Sequence, residues 1–164
     1  MAKSFSVTIR KNIKNFNKVI KVEGCKSISH RALLLASQCR GASFIGGVLN
    51  SEDVLSTIKA LNKLGVKIIK KNNSYIVFGN GLGSFKIKKK ITINSSNAGT
   101  LTRLLFGLLS TYPNKVKITG DRSLKKRPME RVIKPLERIG CTFYPKNKKK
   151  LPLEICGTSM PLAQ

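Results

Sequence analysis

The chain has 164 residues, 41% of them hydrophobic, and carries 32 Lys and Arg against 7 Asp and Glu, a formal net charge of +25. That length holds one ordinary core, the apolar content is too high for a disordered chain, and the longest apolar runs, "ALLLA" (32–36) and "LLFGLL" (104–109), are far too short to cross a bilayer. The charge asks for anionic partners without saying which.

Only eight of the basic residues are arginine. Nucleic-acid readers favour arginine for its bidentate contacts. Runs such as "KIKKK" (86–90) and "KNKKK" (146–150) fall between apolar strands, where they keep edges and turns soluble. The four cysteines, Cys25, Cys39, Cys141 and Cys156, contain no Cys-x-x-Cys pair, and His30 is the single histidine. That argues against zinc and for reduced thiols. The basic N-terminus has no apolar h-region or small-residue cleavage site, so cytoplasm is the expected location.

Taken in chain order, the alternation in "SFSVTI" (4–9) reads as a strand, as does "KVIKVEG" (18–24). A helix comes next over about Ser27–Gln38, with Ser27 or Ser29 able to cap it. Strand "ASFIGGV" (42–48) leads to a helix ending in "IKALNKLG" (58–65), whose glycine suits a C′ stop. Glu52 and Asp53 sit where that helix begins, and its dipole explains them. Strands "VKIIKK" (66–71) and "YIVFG" (75–79) come next. "GNGLGS" (79–84) is a connector: a dinucleotide loop must open a helix, and here the chain continues into the extended "FKIKKKITI" (85–93).

The order then recurs as "KITINSS" (90–96), a helix over about Ala98–Ser110, "KVKITG" (115–120), a helix ending in "IKPLERIG" (133–140), "CTFYP" (141–145) and "LPLEICG" (151–157). The chain therefore reads as βαβαββ twice, over about 18–80 and 88–157, an α/β architecture with residues 1–17 outside the repeat. Its helices are expected to pack on one another or on short sheets.

Candidate function concentrates at two helix starts. Free N–H groups and the dipole make a helix N-terminus receptive to anions. "CKSISHR" (25–31) adds Lys26 and Arg31 there; the alternative is a capped helix with solvated basic residues. The matching "SSNAGTLTR" (95–103) offers Gly99 for close backbone approach, Asn97 and Thr100 to cap or donate, and Arg103 a turn inside. Two such tips in a pseudo-repeat could face one cleft and hold phosphate or carboxylate. Arg127 precedes Pro128, which fits a first helical turn, while Arg122, Lys125 and Lys126 read as a solvated loop. Cys25, beside Lys26, sits where a thiol pKa can fall. His30 reads as a core or capping residue, Glu130 and Glu137 as ion-pair partners on a basic helix, and no carboxylate clusters with the anion motifs.

The segments "KSISHRALLLA", "SEDVLSTIKALNKLGV", "NAGTLTRLL" and "TGDRSLKKRPMERVIKPLERIG", in this order, resemble the 5-enolpyruvylshikimate-3-phosphate synthase (3-phosphoshikimate 1-carboxyvinyltransferase) family over nearly the whole chain. The related UDP-N-acetylglucosamine enolpyruvyl transferases look different at the first motif. The resemblance implies the inside-out α/β barrel fold of six βαβαββ units, of which about two are present here, as in an N-terminal fragment. It also implies that the strand within residues 1–17 belongs to the other half, with 18–164 a partial domain. The implied reaction adds the 5-hydroxyl of shikimate 3-phosphate to C2 of phosphoenolpyruvate, protonates C3 and expels phosphate, in the shikimate pathway to chorismate and aromatic amino acids.

By the same resemblance Lys26, Ser27 and Arg31 bind shikimate 3-phosphate. Lys26, Gly99 (through its N–H) and Arg127 bind phosphoenolpyruvate, with Asn97, Thr100 and Arg103 in support. Catalytic acid–base residues, cofactors, metals, nucleic acid and membrane have no place in this fragment, which alone is expected to be inactive; the full-length enzyme is expected to be a monomer. Cys25 and Ser96 depart from the family's usual Asp or Ser and Gly. The final "PLAQ" (161–164) is not carried over as the family's substrate motif, because it comes too early and lacks the serine. A basic nucleic-acid-binding protein, with steeply salt-dependent binding, is the rival from another class.

Overall fold

The computed structural model describes residues 6–8, 10, 17–72 and 74–162. The first unit begins with α1 (Lys26–Gln38), whose Leu33, Leu34 and Ala36 enter the core. Then come β1 (Arg40–Gly46), α2 (Glu52–Lys63), β2 (Lys67–Lys71) and β3 (Ser74–Asn80). The second unit has β4 (Ile91–Asn94), α3 (Gly99–Leu109), β5 (Lys115–Thr119), α4 (Arg122–Lys126), α5 (Glu130–Arg138), β6 (Thr142–Tyr144) and β7 (Leu153–Cys156).

Each unit folds its strands in the same order. The first sheet runs β1-β3-β2, antiparallel throughout; the second runs β4-β5-β7-β6, with β5-β7-β6 repeating that pattern and β4 added parallel to β5. The helix before the last two strands of each unit, α2 and α5, stops at Gly65 and Gly140, with φ of +87° and +103°, the left-handed region that a residue with a Cβ adopts at a cost. Glycine also closes each unit. A Cβ on Gly79 would strike the carbonyls ending α1, and one on Gly157 would strike the carbonyls of Leu109, Ser110 and Tyr112 at the end of α3.

The core lies where α1, α2, α3 and α5 meet the two sheets. Phe106 of α3 meets Phe143 of β6 edge to face, with ring centroids 5.3 Å apart. Phe85 in the connector stacks on Tyr112 and donates its N–H to the phenol oxygen at 3.1 Å, which ties the connector to the second unit.

Four expectations are corrected. Residues 18–24 form no strand: Val19, Ile20 and Val22 are 97%, 74% and 82% exposed, so their alternation finds neither a ladder partner nor a face to bury. Residues 6–8 also carry no strand, and the rest of "SFSVTI" lies outside the described residues. Arg122–Lys126 is a short helix, nucleated by the Asp121 carboxylate accepting from Leu124 N–H at 2.7 Å and anchored by fully buried Leu124. Pro128 lies just outside α5, and the helix interior instead tolerates Pro135, in its second turn.

Candidate functional site

Neither helix start is capped as its serines suggest. Cys25 is the N-cap residue of α1 and gives no side-chain cap. Ser29 sits one turn inside, donates to Cys25 O at 2.9 Å and accepts from Leu49 N–H at 3.0 Å, so its hydroxyl fixes the loop after β1 instead. The backbone N–H groups of Ile28 and Ser27, with help from Arg31, lower the exposed Cys25 thiol below its ordinary pKa. Ala98 is the N-cap of α3, also without a side-chain cap, so neither Asn97 nor Thr100 caps it.

The two tips lie at the same end of the helix layer. A cleft of about 270 Å³ runs between α1 and α3, lined by Arg31, Leu34 and Leu35 from one and Leu104, Gly107 and Leu108 from the other, each set beginning about one turn past its helix start. Helix α2 joins them. Asp53 Oδ2 lies 3.0 Å from Lys26 Nζ, and Ser56 Oγ lies 3.0 Å from Ser96 Oγ, so its first two turns touch α1's first residue and the turn before α3. The expectation that no carboxylate joins the anion motifs is corrected here: Asp53 does, across 27 residues of sequence.

The α3 tip collects two guanidiniums. Arg127 Nη2 donates to Asn97 Oδ1 at 2.8 Å. Arg127 Nη1 and Arg103 Nη1 lie 3.2 and 3.3 Å from where a Cβ on Gly99 would sit, so any side chain there would crowd both. Arg127 arrives through the insertion of α4, whose Leu124 packs beneath Gly99 and Gly120. Asp121 N–H donates to Ser96 O at 2.8 Å and Ser95 N–H to Thr119 O at 2.9 Å, locking the turn. Ser96 holds φ of +50°, a position glycine takes freely; the contact of its hydroxyl with Ser56 offsets part of that cost. Gly99 N–H is already given to Asn97 O at 2.9 Å.

The remaining candidates fall nearby. Lys26 and Arg31 are exposed, Ser27 and Thr100 half-buried, and Arg103 half-buried beside Gly99. Behind Lys26, His30 is fully buried, with Nδ1 2.6 Å from Thr57 Oγ1 and Nε2 unpartnered. Burial holds its imidazole below the ordinary 6.5; Asp53 opposes that shift and Lys26 adds to it. Glu130 pairs with Lys134 at 3.3 Å within α5. All four cysteines are free thiols, and no His/Cys/Asp/Glu cluster suited to a metal occurs among the described residues. No helix among them is long and apolar enough to cross a membrane.

The arrangement is suited to gripping small anions: three cationic side chains, Lys26, Arg103 and Arg127, and two uncapped helix starts share one end of the fold. Comparison with known proteins gives the chain's family. The sequence matches the family described as EPSP synthase (3-phosphoshikimate 1-carboxyvinyltransferase) over residues 10–163. It is 41% identical over 141 residues to a protein of Paramagnetospirillum magneticum named 3-phosphoshikimate 1-carboxyvinyltransferase, covering 85% of this chain and 31% of the relative. It is 40% identical over 144 residues to one of that name from Streptococcus pyogenes, covering 88% and 33%. An EPSP synthase structure from Acinetobacter baumannii superimposes with a TM-score of 0.78 at 36% identity, over 84% of this chain and 31% of that one. The chain thus spans about a third of the length of the curated relatives it matches. On the shared sequence and fold, it belongs to the EPSP synthase family.

Proposed function

We propose that this chain supplies part of the substrate site of an enolpyruvyl transferase that joins phosphoenolpyruvate to the 5-hydroxyl of shikimate 3-phosphate and releases phosphate. Shikimate 3-phosphate is held by Lys26, Ser27 and Arg31. Phosphoenolpyruvate lies between Lys26 and the α3 tip, against Arg127 and Gly99, with Arg103, Asn97 and Thr100 in support. The observation that carries this reading is the convergence of Arg127 and Arg103 on Gly99 at the helix end that also presents Lys26.

Both substrates are polyanions, and guanidiniums form paired hydrogen bonds with phosphate and carboxylate. As the C–O bond to phosphate breaks, negative charge gathers on the departing group, and fixed cations stabilise it more than bulk water does. The Gly99 amide can join only if its bond to Asn97 O opens. Proton transfer to C3 and from the 5-hydroxyl is assigned to no residue of this chain, so the 164 residues alone bind substrate without turnover. Cytoplasmic location and a monomeric full-length enzyme belong to the same reading.

Titration calorimetry tests it. Phosphoenolpyruvate and shikimate 3-phosphate should each bind, and Lys26→Ala or Arg127→Ala should weaken phosphoenolpyruvate about tenfold or more, as expected for the loss of a charge-assisted bond. Arg122→Ala, on the outer side of α4, should not. Equal loss in all three variants would reduce the site to general positive charge. Phosphate release from the two substrates by this chain would overturn the division of labour.

A further inference from the structure

Asp53 meets Lys26 at the shared helix end, and a site built for anions has an electrostatic reason to exclude a carboxylate there. Its place in the first turn of α2 suits the helix dipole, but Glu52 satisfies that equally and stays exposed. Asp53 instead is drawn in: its side chain is 21% exposed, the lowest of any residue in the ion pairs described, and its Oδ2 meets Lys26 Nζ at 3.0 Å. The turn that carries it is held firmly. Ser51 Oγ accepts from Val54 N–H, and Thr57, one turn on, packs its hydroxyl against His30 behind Lys26.

From this geometry we infer that Asp53 is a positioning residue for Lys26, an inference that rests on the substrate site proposed above. A lysine has four flexible methylenes and a point charge with no preferred direction. Left alone at a helix tip, it would lose much of that freedom on meeting a ligand. Asp53 removes the freedom beforehand and holds the ammonium toward α2, on the side from which Ser56 also reaches the α3 turn. One short stretch of α2, Asp53–Ser56, thereby sets both the aim of Lys26 and its spacing from the Arg103–Arg127 pair.

The sign of a single substitution tests this. If Asp53 acted only through its charge, Asp53→Asn would tighten binding of shikimate 3-phosphate to the chain. As a positioning residue, its loss should weaken binding about tenfold, while Asp53→Glu, which keeps the carboxylate, should recover most of it. Tighter or unchanged binding in Asp53→Asn overturns the inference. A second readout needs no substrate. Acylation of lysines, followed residue by residue by mass spectrometry, should modify Lys26 several-fold faster in Asp53→Asn than in the parent chain, relative to exposed Lys125; no change overturns the inference. Should the parent chain bind no shikimate 3-phosphate, the proposed function fails, and the acylation rates still decide whether Asp53 holds Lys26. Asp53→Ser, also suited to a helix start, replaces the asparagine variant if that one does not fold.

Discussion

The two repeat units share a frame and differ at two places. Helix, strand, helix and two strands recur with the same sheet order, the same C′ glycines at 65 and 140, and the same closing glycines at 79 and 157. In the second unit, however, the segment before the first helix is a strand that pairs with β5 and buries Ile93 completely. In the first unit the matching residues leave Val19, Ile20 and Val22 in solvent. The second difference is the link from strand to second helix. In the first unit Ser51 opens α2 and Asp53 turns to Lys26; in the second, α4 intervenes and delivers Arg127 to Gly99. The common frame brings the two tips to one end, and the links, which the repeat does not constrain, carry the charged groups that distinguish them.

The largest expected effect sets the leading segments against each other. Ile93→Ala should destabilise the chain by about 2–5 kcal/mol in denaturant unfolding, the range for emptying a core site, whereas Ile20→Ala should stay within about 0.5 kcal/mol. Similar costs would mean that residues 18–24 bury a face as β4 does. Next come the closing glycines. Gly79→Ala and Gly157→Ala each drive a methyl into backbone carbonyls, at about 1–3 kcal/mol each if the units are equivalent there. A large loss at one position and none at the other would break the equivalence.

Buried His30, the chain's single histidine, gives the first unit a dependence on acid pH. Its folded pKa lies below the unfolded value, so below about pH 6.5 the unfolded chain takes up a proton that the folded chain refuses. Stability should therefore fall on acidification through and below that point, by at most about 1.4 kcal/mol per pH unit from this group. His30→Asn should remove that part of the slope, and an unchanged slope would assign it elsewhere. The smallest effect compares the two side-chain caps: Ser51→Ala and Asp121→Ala should each cost about 1 kcal/mol. The Asp121 variant should also weaken phosphoenolpyruvate binding in calorimetry, because Arg127 directly follows α4.

Much of the frame was legible because it is written locally. Apolar periodicity and a glycine stop place α2 and α5, and the turn residues around the short strands bracket them. What escaped depends on partners distant in sequence. "KVIKVEG" has the alternation of a strand, yet pairing decides whether alternation becomes a ladder. Ser27 and Ser29 look like caps, but Ser29 is spent on Leu49, twenty residues away. Helix α4 is five residues long and rests on one cap and one buried leucine, too little for periodicity to show. The candidate site residues at the two tips are legible as motifs, whereas Asp53 reads as a dipole residue because nothing local links it to Lys26. Arg103 read only as a supporting residue, and its place beside Arg127 came from α4, which brings the two guanidiniums together.

The most direct test of a shared anion site is the amide NMR spectrum of the chain titrated with phosphoenolpyruvate. The account predicts that amides at both helix starts, Ser27 and Ile28 in α1 and Thr100 and Leu101 in α3, shift together along one binding curve. Shifts confined to one tip, or two curves with unrelated midpoints, would contradict it.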